Sequence, residues 1–137
     1  MHPHARTAAV LTFPLLLASC SGGGNSRTDD RSSPQALTVT VYDDLHAGEF
    51  AKVCGLLLPE AAKRIRDTGA DCQTYLAKKY DTTARAAFAR VKVDAKAIQV
   101  NGDTAVVPES AVTFDGRPSS DGGTKVALRD GKWFVAG

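Results

Sequence analysis

The sequence predicts an α+β domain in which short helices from the first half pack on a bent antiparallel sheet made by the second. Three observations carry this. Apolar residues recur at helical spacing between Leu37 and Leu76, they alternate with polar ones from Val91 onward, and the Gly-containing turns Asn101-Gly102 and Asp130-Gly131 fold the second half back on itself.

The 137 residues are 43% hydrophobic and 23% charged, with 17 Lys+Arg against 15 Asp+Glu and a formal net charge of +2. Such a chain builds one small globular domain with some additional chain. Near-even charge without a Lys/Arg block excludes a strongly basic nucleic-acid binder, and nucleic acid is not an expected partner. The same composition excludes a collagenous, wholly disordered or multi-span membrane protein.

Met1 to Arg6 is positively charged, and Ala8 to Ala18 is apolar but interrupted by Pro14. That run is too short to span a hydrocarbon core, which takes about twenty residues. A basic start followed by a short apolar run and small residues is the layout of an export signal, here 1–19. Leu17-Ala18-Ser19-Cys20 resembles a bacterial lipobox, which implies a diacylglyceryl group on Cys20 and cleavage just before it. Two or more acyl chains give lasting attachment, because each buried methylene adds about 0.8 kcal/mol. The expected partner is therefore membrane lipid, and the expected location the extracytoplasmic face of the cell membrane.

Residues 20–34 form the lipidated Cys and a spacer, since Ser21 to Pro34 contains no aliphatic or aromatic residue. The domain proper is 35–137. Ser33-Pro34 offers an N-cap and a first helical position, and Leu37, Val41 and Leu45 recur at i, i+4, i+8; the run Leu37 to Val41 also alternates like a β-branched strand. Gly48 is a helix stop. Phe50, Val53, Cys54 and Leu57 then share a helical face, Pro59 opens a helix with Ala62 and Ile65 inward, and Asp71 caps another with Cys72, Tyr75 and Leu76 inward, ending near Tyr80.

Beyond, Val91 to Ala97 reads as a half-buried strand, with a change of phase at Ile98 and Val100. Asn101-Gly102 predicts a type I′ turn. The returning strand, Thr104 to Phe114, holds Pro108, which points to an edge or a further bend. Asp115 to Gly123 reads as a loop, and Thr124 to Arg129 pairs with Lys132 to Ala136. About four strands in a meander result.

Tyr42 to Ala51 (YDDLHAGEFA), Cys54, Leu57-Leu58-Pro59, Cys72, Asn101 to Val106 (NGDTAV) and Asp130 to Val135 (DGKWFV), taken in that order, resemble the small secreted NTF2-like (cystatin-like) domains of actinobacterial lipoproteins. The resemblance covers 35–137. It implies helices on a curved sheet around a conical pocket, and it settles 35–46 as helix.

With Cys20 lipidated, Cys54 and Cys72 remain as a pair in an oxidising compartment, on two helices joined by one turn. A disulfide is expected; two buried free thiols or a metal pair are the alternatives, and zinc lacks further ligands beyond His46. No metal and no cofactor are expected. The chain contains no Gly-x-Ser-x-Gly elbow, phosphate loop, dinucleotide fingerprint or His-Glu-x-x-His. Because the resembling fold hosts isomerases and hydratases that use a buried Asp or His with Tyr partners, Tyr42, Asp43, His46 and Tyr75 are the candidate pocket residues, and Asp44 is weighed with them. Asp43 and Asp44 point about 100° apart on a helix. His46 stands near a helix C-terminus, where it suits the dipole. The basic residues Lys63, Arg64, Arg66, Lys78, Lys79 and Arg85 are interspersed with acids and read as a solvated face. The expectation is a non-catalytic binding or scaffolding domain for a small apolar ligand or membrane-protein partner. A pocket enzyme of the same fold and a docking domain are the competing readings.

Overall fold

Ser33 begins the first helix in the way its position predicts. In the computed structural model, which describes residues 30–137, its hydroxyl accepts from the Ala36 amide at 3.0 Å, and α1 runs Pro34–Ala47. The predicted signal, lipobox and most of the spacer fall on 1–29, outside the described residues. Thr38 and Thr40, whose β-branches made the strand alternative credible, instead donate to the carbonyls of Pro34 (2.7 Å) and Ala36 (3.0 Å), so burial costs them no hydrogen bond. Gly48 closes the helix at φ 75°. A Cβ there would meet only the end of the flexible Arg85 side chain, so it is the left-handed backbone that requires glycine.

Four shorter helices follow: α2 Phe50–Gly55, α3 Pro59–Arg66, α4 Cys72–Lys79 and α5 Thr82–Ala86. Asp71 and Asp81 cap the last two by accepting from Thr74 and Ala84 amides at 3.0 and 2.9 Å. The sequence reading stopped at Tyr80 and missed α5, too short to show periodicity. In α3 the buried residue is Ala61 rather than the expected Ala62, because Ala61 and Ile65, at i and i+4, share the face turned inward. The Cys54–Cys72 disulfide forms, joining α2 to α4. The two helices are not joined by one turn: α3 stands between them.

The sheet departs from a four-stranded meander. Seven short strands, β1 Val91–Val93, β2 Gln99–Asn101, β3 Thr104–Val107, β4 Val112–Phe114, β5 Arg117–Pro118, β6 Thr124–Arg129 and β7 Lys132–Val135, form two antiparallel sheets ordered β1-β4-β5 and β2-β3-β6-β7. Each expected long strand is split between them. On one, the Asp94 carboxylate accepts from the Lys96 amide at 3.0 Å and turns Ala95–Ala97 into a 3-10 turn, ending the alternation. On the other, Pro108 precedes a 3-10 turn at Glu109–Ala111.

Turn chemistry differs too. Asn101 pairs with Thr104, so the β2–β3 turn residues are Gly102 and Asp103, with positive φ at Gly102 alone; that is the II′ pattern rather than I′. Asp115-Gly116, read as the start of a loop, has positive φ at both residues and joins β4 to β5 as a I′ hairpin, as Asp130-Gly131 joins β6 to β7.

One core cluster gathers Tyr42, Leu45, Val53, Leu76, Phe88 and Phe114 near β1 and β4, and a second gathers Leu37, Leu56, Ala105, Val126 and Trp133 on the larger sheet. The first helix spans both, its Leu37 in one and its Tyr42 and Leu45 in the other. The 56–58 segment runs beside β7: Leu58 donates to the Val135 carbonyl at 2.9 Å and Val135 to that of Leu56 at 2.8 Å. Residues 30–34, placed in the spacer by composition, are tied to the domain. The Arg31 carbonyl accepts from the Trp133 amide at 3.0 Å, the Arg31 guanidinium lies 4.9 Å over Phe134, and Pro34 is buried.

Candidate functional site

Between the helices and the larger sheet lies a cleft of about 460 Å³, within the range of small-molecule sites. Leu37, Val41 and Leu45, spaced for one helical face, form a wall with Val53, Leu57, Ile65 and Leu76; Val126 and Val135 supply the sheet side. Inward apolar faces that do not close completely against each other leave this space.

The polar lining gathers around three phenols. Tyr42 is buried, its ring edge-on to Phe88 (5.1 Å) and Phe114 (4.8 Å), and its hydroxyl is 3.5 Å from Asp121 Oδ2. Burial, followed by the nearby Asp121 charge, raises the Tyr42 pKa well above its ordinary 10.0. The Tyr80 pKa is raised as well, by burial first; Lys79 opposes the rise and Asp121 adds to it. The Lys79 ammonium lies 5.3 Å from the Tyr80 ring centroid and 5.9 Å from that of Tyr75. Lys79 and Asp121 are exposed, so the charges stand at the opening and the hydrocarbon lies deeper. This arrangement can bind an apolar body and hydrogen-bond a polar end.

Of the candidate pocket residues, Tyr42 and Tyr75 line the cleft. Asp43 and His46 do not, which corrects the expectation for both. One residue on from Tyr42, Asp43 is rotated about 100° around the helix axis, away from the lined face. His46 is exposed in the last turn of α1, where its Nδ1 donates to the Arg85 carbonyl at 2.8 Å. Asp44 is half-buried and also outside the lining. Sequence reasoning missed Lys79 and Asp121 as pocket residues. Tyr75 and Lys79 at i, i+4 were a visible signal. Asp121 had none: it sits in a Gly-rich loop, 79 residues from its contact Tyr42. No group of three or more His, Cys, Asp or Glu able to hold a metal occurs among the described residues.

Helices closing an apolar cleft over a bent antiparallel sheet give the NTF2-like fold. A solved structure similar to this chain is that of a protein from Campylobacter jejuni named "putative NTF2-like transpeptidase", 18% identical, with a TM-score of 0.50, covering 77% of this chain and 98% of its own. No family model and no curated protein matches the chain.

Proposed function

We propose that this protein is an exported lipoprotein, anchored through Cys20 to the extracytoplasmic face of the membrane, whose NTF2-like domain binds a small, largely apolar ligand without transforming it. One observation carries the binding reading: the cleft of about 460 Å³ has aliphatic walls, and its ionised side chains include Lys79 and Asp121 at the solvent edge. The anchor rests on the Leu17-Ala18-Ser19-Cys20 motif. The 21–29 stretch then acts as tether, and the domain works within about 20 Å of the lipid.

One contact favours an enzyme as the second reading. Asp121 lies against Tyr42, and a carboxylate beside a phenol is an acid–base pair. Asp121 is exposed, however, and stands at the solvent edge rather than in the apolar depth of the cleft. Native mass spectrometry of the protein purified from its own host tests the binding reading: a retained apolar molecule, lost when Thr68→Trp narrows the cleft, is expected. Recovery of a chemically converted product that Asp121→Asn abolishes would favour the enzyme instead. For the anchor, Cys20→Ser should move the protein out of the membrane fraction; unchanged fractionation would refute the lipobox.

A further inference from the structure

We propose that the outer face of the β2-β3-β6-β7 sheet rests on an anionic lipid bilayer, so that the Cys20 anchor and this face hold the domain to the membrane together. This rests on the anchor reading above and gives the anchored domain an orientation.

Register sorts the side chains of the sheet. Ala105, Val107, Val126 and Trp133 are buried on the side of the helices, so the residues alternating with them point the other way. These include Thr104, Val106, Lys125, Ala127, Lys132 and Phe134. Val106 and both lysines are exposed, and an open groove of about 440 Å³ lies over Thr104, Val106, Lys125 and Ala127. The four strands contain Lys125, Arg129 and Lys132 and no acid. Arg129 is paired with Glu60 at 2.8 Å, whereas among the described residues no ion pair or side-chain hydrogen bond joins Lys125 or Lys132. Asp103 and Asp130 stand in the turns at one end of the sheet, where the Leu128 amide donates to the Asp103 carbonyl. The face itself is therefore cationic around an apolar centre, which suits a surface of lipid phosphates.

Where the chain joins the domain decides the occupant. The Arg31 guanidinium lies 4.9 Å over the Phe134 ring, on the outer face, and the Arg31 carbonyl accepts from the Trp133 amide, so the tether arrives beside β7. Only nine residues, 21–29, separate Cys20 from Asp30. At roughly 5–6 Å times the square root of length they hold the lipid ~17 Å away on average. A domain of this size, with a radius of gyration of about 13 Å, is about 34 Å across. The bilayer thus meets the sheet side first, and the helices, with the cleft beneath them, lie on the side away from it. A second copy is the poorer occupant, since a two-fold pairing would bring two cationic faces together.

The test is lysine labelling of the mature protein, purified from its host's membranes and added to preformed vesicles, with an amine-acetylating reagent and peptide mass spectrometry as the readout. On vesicles of equal parts phosphatidylglycerol and phosphatidylcholine, Lys125 and Lys132 should label about fivefold more slowly than on phosphatidylcholine alone, the factor one cation gains near an anionic surface. Lys52 and Lys78, exposed on α2 and α4, should keep their rates on both. Salt at about 1 M, which screens charges beyond about 3 Å, should abolish the difference. Unchanged labelling of Lys125 and Lys132, or equal slowing of Lys78, overturns the docking and leaves the anchor standing. Protection that persists in detergent micelles, together with a doubled mass, overturns it in favour of a second copy. A mature protein whose mass lacks a diacylglyceryl group on Cys20 overturns the anchor reading, and the docking with it.

Discussion

The Asp94 amide donates to the Ala111 carbonyl over 2.8 Å, one residue beyond the last β1–β4 pair, Val93 with Val112, where both strands leave their sheet. Beyond this bond, β1 pairs with β4 on one side, and β2 with β3 on the other. Two long strands have thus broken at the same level, one at Asp94 and the other at Pro108, and this backbone contact holds them together at the edge of the break. The resulting bend lets α1 touch both sheets and opens the angle in which the cleft sits.

Asp94 contributes to the bend through its carboxylate, which holds the Lys96 amide at 3.0 Å. Asp94→Ala should cost about 1 kcal/mol, the typical worth of such a cap, read as a lower urea midpoint with unchanged slope. A variant as stable as the parent would show that Pro108 alone sets the bend.

The disulfide constrains the unfolded chain across a separation of 18 residues. By the chain-entropy estimate it contributes about 3 kcal/mol. In a domain of this size the double variant Cys54→Ala/Cys72→Ala should melt some ~12–20 °C lower. Non-reducing peptide mapping should recover the two cysteines in one linked pair, and free alkylation of both in the native protein would contradict it.

Leu37 is fully buried, in the cluster with Trp133 and Val126, and also borders the cleft. Leu37→Ala should destabilise by about 2–5 kcal/mol, nearer the lower figure if the new space merges with the cleft rather than forming a closed void. Urea unfolding gives the number. A loss under ~1 kcal/mol would mean that neighbouring side chains move in to fill the space.

What the sequence made legible was local chemistry. Ser33, Gly48 and Asp71 mark helix ends through side-chain oxygens or a left-handed backbone, and all three act where their chemistry predicts. The strand breaks were only partly legible: Pro108 and the phase change at Ile98 signalled bends, but that both bends meet at one level depends on register. The site divided the same way. Tyr75 follows from its helical face and Tyr42 from the family resemblance, whereas Asp121 reaches Tyr42 only because β4, β5 and the loop after them return the chain to α1, and no periodicity encodes that return. Asp43 and His46 were singled out for their chemistry, and one helical rotation and one helix end remove them from the cleft.

Tyr42 gives the last prediction, in alkaline solution. Its folded-state pKa lies above the unfolded value of 10.0, chiefly through burial, so the folded chain holds this proton more tightly than the unfolded one. The corresponding stability is fully present below pH 10 and is lost as pH rises through that value towards the higher folded pKa, because the unfolded state alone then gains by ionising. The loss attributable to Tyr42 is at most ~1.4 kcal/mol per pH unit. Tyr42→Phe removes it. At pH 7 the variant should differ from the parent by roughly 1 kcal/mol, the typical net worth of a hydrogen bond, and this one is long at 3.5 Å. From pH 10 to 11 the variant should gain on the parent, while Tyr80, shifted in the same direction, still contributes its own slope in both proteins. Urea midpoints measured at pH 7, 9, 10 and 11 read this difference. Parallel curves for parent and variant above pH 10 would mean that the Tyr42 hydroxyl is open to solvent and that the cleft is wetter at its base than its apolar walls imply.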